Sequence, residues 1–480
     1  MQIVFAVSEV EDLVKTGGLA DVGKSLPIAL KAMGHDVCIV MPLYQAIEQK
    51  ASLSDACVPL SFTASGQHYE FRVKQLSLHD VPVYLIDYPD YFARDGLYSD
   101  SYDAFEDNGQ RFAFFCNATL HALSHLSIVP DVIHCNDWHT GMLPFLIRHN
   151  EQGNLTEEFA KTKTVMTIHN AAFQGVYEMN TVPILRDTPF IHNCVQNYYI
   201  NYLQTGLSYC DGITSVSPNY AKELLTDLGS HGLSGILSHR ANRLFGVLNG
   251  CDYTQWDPKT DHHIEANFDD ADLTGKAKCK KALQKTAKLP QKKKVPMIGM
   301  VCRLTAQKGF GYIVPILEQL LEHKVQLVIV GTGDPVVVEQ LEAISQKYSD
   351  KFAFIQGFSN EYAHWIEAGC DFFLMPSQFE PCGLNQMYSL AYGTLPIVRS
   401  VGGLKDTVID AEADPTNATG FAFETPQPYA LLACIRRALL MYHEAPEKIA
   451  DIQLRAMQTK FTWQAAAKEY VDIYETIAEW

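Results

Sequence analysis

Two series of short apolar runs, separated by a stretch that has none, constrain this chain more than any other feature. The first series is QIVFAV at 2–7, VCIVM at 37–41, VPVYLID at 81–87, DVIHCN at 131–136, KTVMTI at 163–168, DGITSV at 211–216 and LFGVLN at 244–249. The second is VPMIGMV at 295–301, VQLVIVG at 325–331, FAFIQG at 352–357, DFFLMP at 371–376 and TLPIVR at 394–399. Near-continuous apolar runs alternating with helical patterns read as parallel strands covered on both faces. Residues 252–291 hold no such run. The pattern predicts an α/β protein of two doubly wound domains with a hinge near residue 250, a division that 480 residues readily accommodate.

Charge and cysteine usage narrow the function. Lys plus Arg number 38 against 55 Asp plus Glu, a net charge of -17. Such a surface repels nucleic acid and anionic membranes, so neither is expected as a partner. A small anion binds only where local cations overcome that field. The 12 cysteines include no C-x-x-C, which points away from a zinc cluster or disulfide scaffold and towards a reducing cytoplasm. No apolar run approaches the roughly 18 residues that span a bilayer. Met1 leads straight into the first strand without a signal-peptide pattern. Residues 276–294 carry nine Lys and no acid, a run read here as a solvated helix rather than a polyanion site. The tail at 461–480 places Ala466, Tyr470, Ile473 and Ile477 at helical spacing and is expected to dock as a helix.

In open α/β sheets ligands bind beyond the carboxyl ends of the strands, so polar residues at those ends are the site candidates. After the first strand come Glu9, Lys15, Gly17, Gly18 and Asp21, leading into a helix whose apolar face is Leu19, Val22, Leu26, Leu30 and Met33. The glycines allow close backbone approach, and a helix start beside Lys15 suits phosphate. The pattern is neither G-x-G-x-x-G nor a P-loop. After the 295–301 strand, Arg303 and Lys308 lie five residues apart and can hold the oxygens of a diphosphate. After the 371–376 strand comes Glu380-Pro381-Cys382-Gly383-Leu384, where Glu380 reads as an acceptor for sugar hydroxyls or, alternatively, as a helix cap. Asp137 ends the fourth strand, and His169 and Asn170 end the fifth. Three convergent ligands from His134, Asp137 and His139 would be needed for a metal site, and none is expected.

With those residues in place, the chain resembles a known family. KTGGLADV, HCNDWHTG, TIHNAAFQG, VLNGCD, CRLTAQKG, EPCGLNQMYSLAYGTLPIVRSVGGLKDTV and the FTW of the tail occur in the order seen in bacterial glycogen synthases and plant starch synthases, across essentially the whole chain. The resemblance implies a GT-B fold, two Rossmann-like domains facing a deep cleft. Residues 1–250 would form the acceptor-side domain, completed by a C-terminal helix at 462–480, and residues 251–461 the donor-binding domain. It implies transfer of glucose from ADP-glucose to the non-reducing end of an α-1,4-glucan such as glycogen, with the anomeric configuration retained and with neither metal nor cofactor. Carried over by motif, the expected catalytic residues are Lys15, Asp137, His169, Arg303, Lys308 and Glu380. Donor contacts add Gly18, Asp21, Asn249, Phe358, Cys382, Gly383 and Leu384, with Phe358 against adenine. Glu9, Tyr98, Asp137 and Asn170 match acceptor-side positions. Many retaining GT-B enzymes carry a second glutamate eight residues after the first; here that position is Tyr388, as in glycogen and starch synthases. Retention is open to same-face attack or to double displacement. A glucan phosphorylase using pyridoxal phosphate and a non-catalytic glucan-binding protein are the alternative readings.

Overall fold

The computed structural model describes residues 1–100, 103–150 and 155–480. The chain divides into two units, Met1–Asn249 with Trp463–Trp480, and Gly250–Thr462. The first contains β1 (Gln2–Ala6), β2 (Asp36–Pro42), β3 (Ser54–Asp55), β4 (Leu60–Ala64), β5 (Gln67–Leu78), β6 (Val81–Asp87), β7 (Val132–Asn136), β8 (Lys163–Ile168), β9 (Val176–Glu178), β10 (Val195–Gln196), β11 (Tyr199–Asn201), β12 (Gly212–Ser215) and β13 (Leu244–Gly246). The second contains β14 (Met297–Val301), β15 (Gln326–Gly331), β16 (Phe352–Gln356), β17 (Phe372–Met375), β18 (Leu395–Arg399) and β19 (Phe421–Phe423). Five helices support the sheets or border their carboxyl edges: α1 (Gly18–Ala32), α2 (Thr274–Thr286), α3 (Asn385–Ala391), α4 (Gly402–Thr407) and α5 (Trp463–Ala478).

The main sheet of the first unit runs β13-β12-β8-β7-β1-β2-β6, all parallel, and continues through antiparallel β5 to β3. The second sheet is parallel throughout, in the order β16-β15-β14-β17-β18-β19. Each sheet therefore grows from its first strand to one side and then returns to grow on the other. The point of reversal lies between β1 and β7 in the first sheet and between β14 and β17 in the second. Here neighbouring loops depart in opposite directions and leave a crevice at the carboxyl edge. The buried faces explain the apolar runs: β1, β7, β14 and β17 are almost wholly inaccessible.

Besides short strands that the sequence reading did not give (β3, β9, β10, β11 and β19), three features differ from it. First, β4 and β5 form an antiparallel hairpin, and their buried and exposed residues alternate because only one face is covered. Ser65 and Gly66, both with positive φ, make its two-residue turn. Second, Met33 lies past the end of α1 and is exposed.

Third, the lysine-rich run is not simply a solvated helix. Seven of its nine lysines are exposed, but Lys276 and Lys280 of α2 are buried. Lys276 Nζ donates to Ala368 O at 3.0 Å and Thr394 Oγ1 at 2.6 Å, and burial lowers its pKa to about 8. Lys280 Nζ lies 2.7 Å from Asp371 Oδ2, which also accepts from Met297 N at 2.8 Å. The two amines fasten α2 beneath the amino ends of the central strands. The strandless connector is anchored as well. Trp256 stacks between His364 and Tyr388, with centroids 3.8 and 3.9 Å away, and Asp261 accepts from His364 and Tyr392.

The tail folds as the helix α5 and belongs to the first unit, where it covers α1 with Ala466, Tyr470, Ile473 and Ile477 buried. Tyr474 OH lies 2.6 Å from His134 Nδ1, and the other ring nitrogen of His134 lies 2.6 Å from Thr167 Oγ1.

Removing one partner of a sheltered ion pair leaves an uncompensated charge. Lys280→Met is therefore expected to destabilise the second unit by about 3 kcal/mol, read by denaturant unfolding. An unchanged midpoint would show that Asp371 needs only its backbone donor.

Candidate active site

The chain leaving β1 turns immediately under the control of Glu9, which is 3% exposed. Its carboxylate accepts from Thr16 N at 2.7 Å, Thr16 Oγ1 at 2.7 Å, Gly17 N at 3.3 Å and Tyr98 OH at 2.7 Å. Four donors on one carboxylate fold the segment that carries Lys15, Gly17 and Gly18. At Gly17 and Gly18 no atom of the described residues, apart from the adjoining backbone, lies within 4 Å of where a Cβ would stand, so the backbone is open to a ligand at the start of α1. Lys15 Nζ sits 2.8 Å from Glu11 Oε1 and 2.8 Å from Asp21 Oδ1. Burial pushes the Asp21 carboxyl up to about 6 against the pull of Lys15.

Across the reversal point, Asp137 follows β7 with φ 55 and ψ -175, a conformation that favours glycine. Its carboxylate accepts from His169 N at 2.7 Å, so the strained residue braces the loop that leaves β8. Burial pushes the Asp137 carboxyl up to about 7. Asn136 Nδ2 donates to Ala6 O, which leaves its Oδ1 to accept from His169 Nε2 at 2.9 Å. Burial lowers His169 to about 3, so the imidazole is neutral with the proton on Nε2. Asn170 Oδ1 closes a turn onto Ala172 N. Asn249 is 7% exposed and its Oδ1 has no hydrogen-bond partner among the described residues, a state that invites a ligand donor.

Both ring nitrogens of His134 are taken, and the His139 ring stacks on Trp138. Among the described residues no three His, Cys, Asp or Glu side chains converge as metal ligands.

In the second unit the loop after β14, residues 302–309, meets the loop after β17, residues 376–384. Gly309 has φ 85, and a Cβ there would run into Pro376 O. Gln378 N donates to Gln307 O at 2.8 Å and Gln307 Nε2 to Phe379 O at 3.2 Å. The loop after β18 closes on the same segment. Gly402, at φ 46, lies against Glu380 O, and Gly403 N donates to that oxygen at 3.1 Å.

This frame brings Lys308 Nζ to 2.8 Å from Glu380 Oε2, which also accepts from Ser377 Oγ at 2.9 Å. The Glu380 side chain is 10% exposed and Lys308 22%. Glu380 is thus an ion-pair partner of Lys308, and the helix-cap alternative falls because Leu384, not Glu380, precedes α3. Arg303 is exposed at the end of β14, and Phe358 is 71% exposed past β16. Cys382 is buried, Gly383 has φ 76, and Gln386 Nε2 donates to the carbonyls of both. Asn385 Nδ2 donates to Val301 O at 3.0 Å and ties α3 to β14.

Within the first unit the structure joins Glu9 and Tyr98, Lys15 and Asp21, and Asp137 and His169. Within the second it joins Lys308 and Glu380. Sequence reasoning missed Glu11, Asn136, Ser377, Asn385 and Gln386. The last two lie inside EPCGLNQ, where amides beside a glycine at a helix start are a readable sign of loop bracing. Glu11 is four residues before Lys15, a spacing that brings side chains together in a turn.

The starch synthase catalytic domain family matches residues 2–239, and the glycosyl transferases group 1 family matches residues 283–453. A glycogen synthase of Photobacterium profundum is 50% identical over 99% of this chain and 94% of its own length. One from Aliivibrio salmonicida is 49% identical, over 99% and 98%. The catalytic domain of starch synthase IV from Arabidopsis thaliana, solved bound to ADP and acarbose, superposes with a TM-score of 0.90 at 29% identity, covering 100% of this chain and 99% of that one. A sucrose-phosphate synthase from Thermosynechococcus elongatus shares the GT-B fold, with a TM-score of 0.61 at 19% identity and 99% coverage of both chains.

Asp137 carries a pH signature. Its folded pKa is raised above the unfolded value, so the stability it contributes is present below about pH 4 and lost as pH rises through about 7. Asp137→Asn keeps an acceptor for His169 N but removes the buried charge. Relative to wild type, the variant is expected to gain on the order of 3 kcal/mol between pH 4.5 and pH 8, measured by denaturant unfolding. A pH-independent difference would show that the carboxyl titrates normally.

Proposed function

We propose, on the premise that this chain belongs to the glycogen and starch synthase family, that it transfers glucose from ADP-glucose to the non-reducing end of an α-1,4-glucan with retention at the anomeric carbon. The observation that carries the site assignment is the Lys308–Glu380 pair at the reversal point of the second sheet. Lys308 has three N–H donors, and Glu380 uses one. The others are available to phosphate oxygens, while the carboxylate accepts from sugar hydroxyls. A single ion pair thereby reads the bond between phosphate and sugar, the bond that breaks.

As the C–O bond lengthens, negative charge gathers on the departing diphosphate. Lys15, Arg303 and Lys308 answer it, and a unit pair 4 Å apart is worth about 4 kcal/mol at an effective dielectric near 20. These cations do the work that a divalent metal does in other transferases, so no metal or cofactor is required. Phe358 supplies an exposed ring for adenine, and the open Gly18 backbone, Asn249 and the 382–384 segment complete the donor contacts. Asn170 is assigned to the acceptor side. His169 is a neutral polar contact at the sugar, oriented by its Nε2–H bond to Asn136 Oδ1. The family resemblance favours retention by same-face attack, with a phosphate oxygen of the donor taking the acceptor's proton. Glu9 and Asp137 act as positioning residues. All twelve cysteines are free, which fits a cytoplasmic enzyme acting on stored glucan.

The test is incubation of the purified protein with labelled ADP-glucose and glycogen, in parallel with UDP-glucose. Label entering glycogen only from UDP-glucose would overturn the donor, and no transfer from either would overturn the activity. Lys308→Ala, Arg303→Ala and Glu380→Ala are each expected to lower kcat by roughly 100- to 1000-fold, with the protein still folded by circular dichroism. Near-wild-type turnover in all three would remove the leaving-group site from this surface. EDTA is expected to leave the rate unchanged; loss restored by magnesium would contradict catalysis by the cations alone.

A further inference from the structure

We propose that Glu11 sets the preference of the Lys15 site for the nucleotide sugar over the free nucleoside diphosphate; this rests on the donor reading above. Lys15 is held by two carboxylates, each at 2.8 Å: Asp21 from the first turn of α1 and Glu11 from the loop before it. Glu11 is itself fixed, since its N–H donates to Ala20 O on α1 at 2.9 Å. The side chains of Glu11 and Asp21 are 18% and 13% exposed, against 42% for Lys15. The acids are sheltered, and the ammonium is the outward member of the group. Of its three N–H donors two are taken, which leaves one for a phosphate oxygen.

With both acids ionised the three side chains sum to a charge of -1. An anion that reaches Lys15 therefore meets one attraction and two repulsions. The bridging diphosphate of a nucleotide sugar has no terminal phosphate. The free diphosphate released by the reaction has one, and near neutral pH a terminal phosphate approaches a second negative charge. The two carboxylates oppose that additional charge. Asp21 alone would leave the cluster neutral; Glu11 makes it negative. Its effect is to weaken both ligands but the product more, so that ADP leaves and inhibits less.

The experiment uses the full chain and compares wild type, Glu11→Gln, Glu11→Ala and Glu11→Asp. Dissociation constants for ADP and ADP-glucose come from titration calorimetry, with transfer to glycogen assayed on the same samples and folding checked by thermal melts. Both neutral variants are expected to bind ADP about tenfold more tightly and ADP-glucose less than about threefold more tightly. Glu11→Asp should keep the wild-type ratio. Weaker binding of both nucleotides in the neutral variants would make Glu11 a mere support for Lys15 and overturn the proposal. An unchanged ratio, or a Glu11→Asp variant that behaves like Glu11→Gln, would overturn it too. In either case, intact transfer from ADP-glucose by wild type leaves the donor reading standing. Failure of wild type to bind either nucleotide would defeat both.

Discussion

The reversal of strand order is the constraint that governs everything else in this molecule. A parallel sheet that grows in one direction carries every crossover helix on one side of its first strand. When the chain returns to the other side, the loops leaving β1 and β7, or β14 and β17, part from each other, and no crossover helix fills the space between them. Polar groups can gather there, sheltered by the loops and hydrogen-bonded to them rather than covered by a crossover helix. Glu9 and Asp137 occupy that position in the first sheet, and Lys308 and Glu380 occupy it in the second. Rigid strands set where these loops begin, and backbone contacts such as Gly309 on Pro376 and Gly402 on Glu380 set how they run. The precision of the site is thus a property of sheet topology before it is a property of any side chain.

Legibility in the sequence followed the same physics. Strands buried on both faces were readable because a short continuous apolar run between helices fits little except a doubly covered strand, and their carboxyl ends pointed at Lys15, Asp137, His169, Lys308 and Glu380. The β4–β5 hairpin was not, since its one-sided burial shows as alternation and the Ser65-Gly66 turn is a weaker signal than Asn-Gly. Lys276 and Lys280 illustrate another limit: composition reports charge, but not that an ammonium on a long stem has found Thr394 or Asp371 inside the fold. Resemblance nominated contact residues without showing how they are held. Glu9 and Tyr98, placed by motif at the acceptor, direct their polar atoms at each other and at the Thr16 segment.

The site also has to work in a protein of net charge -17, where an isolated lysine would act against the field of the whole molecule. Lys15 and Lys308 are not isolated. Each is held by carboxylates at 2.8 Å. Such pairing gives up some attraction for anions, but it removes the conformational freedom of a long side chain, which is worth up to about 2 kcal/mol.

The trade-off favours turnover over binding. A free lysine would hold any diphosphate strongly, product included, and uniform tightening of substrate and transition state does not speed the chemical step. An ammonium already fixed by carboxylates contributes most when the ligand's charge rises, as it does when the sugar–phosphate bond breaks, because no reorganisation remains to be done at that moment. On the proposed donor reading, the same carboxylates oppose the charge that builds on the diphosphate, so at Lys15 some leaving-group stabilisation is exchanged for easier release of the nucleotide. If Lys15 and Lys308 hold the diphosphate as proposed, the acids paired with them belong to that site as much as the cations do, and the count of acids against cations at each position tunes how soon the product leaves.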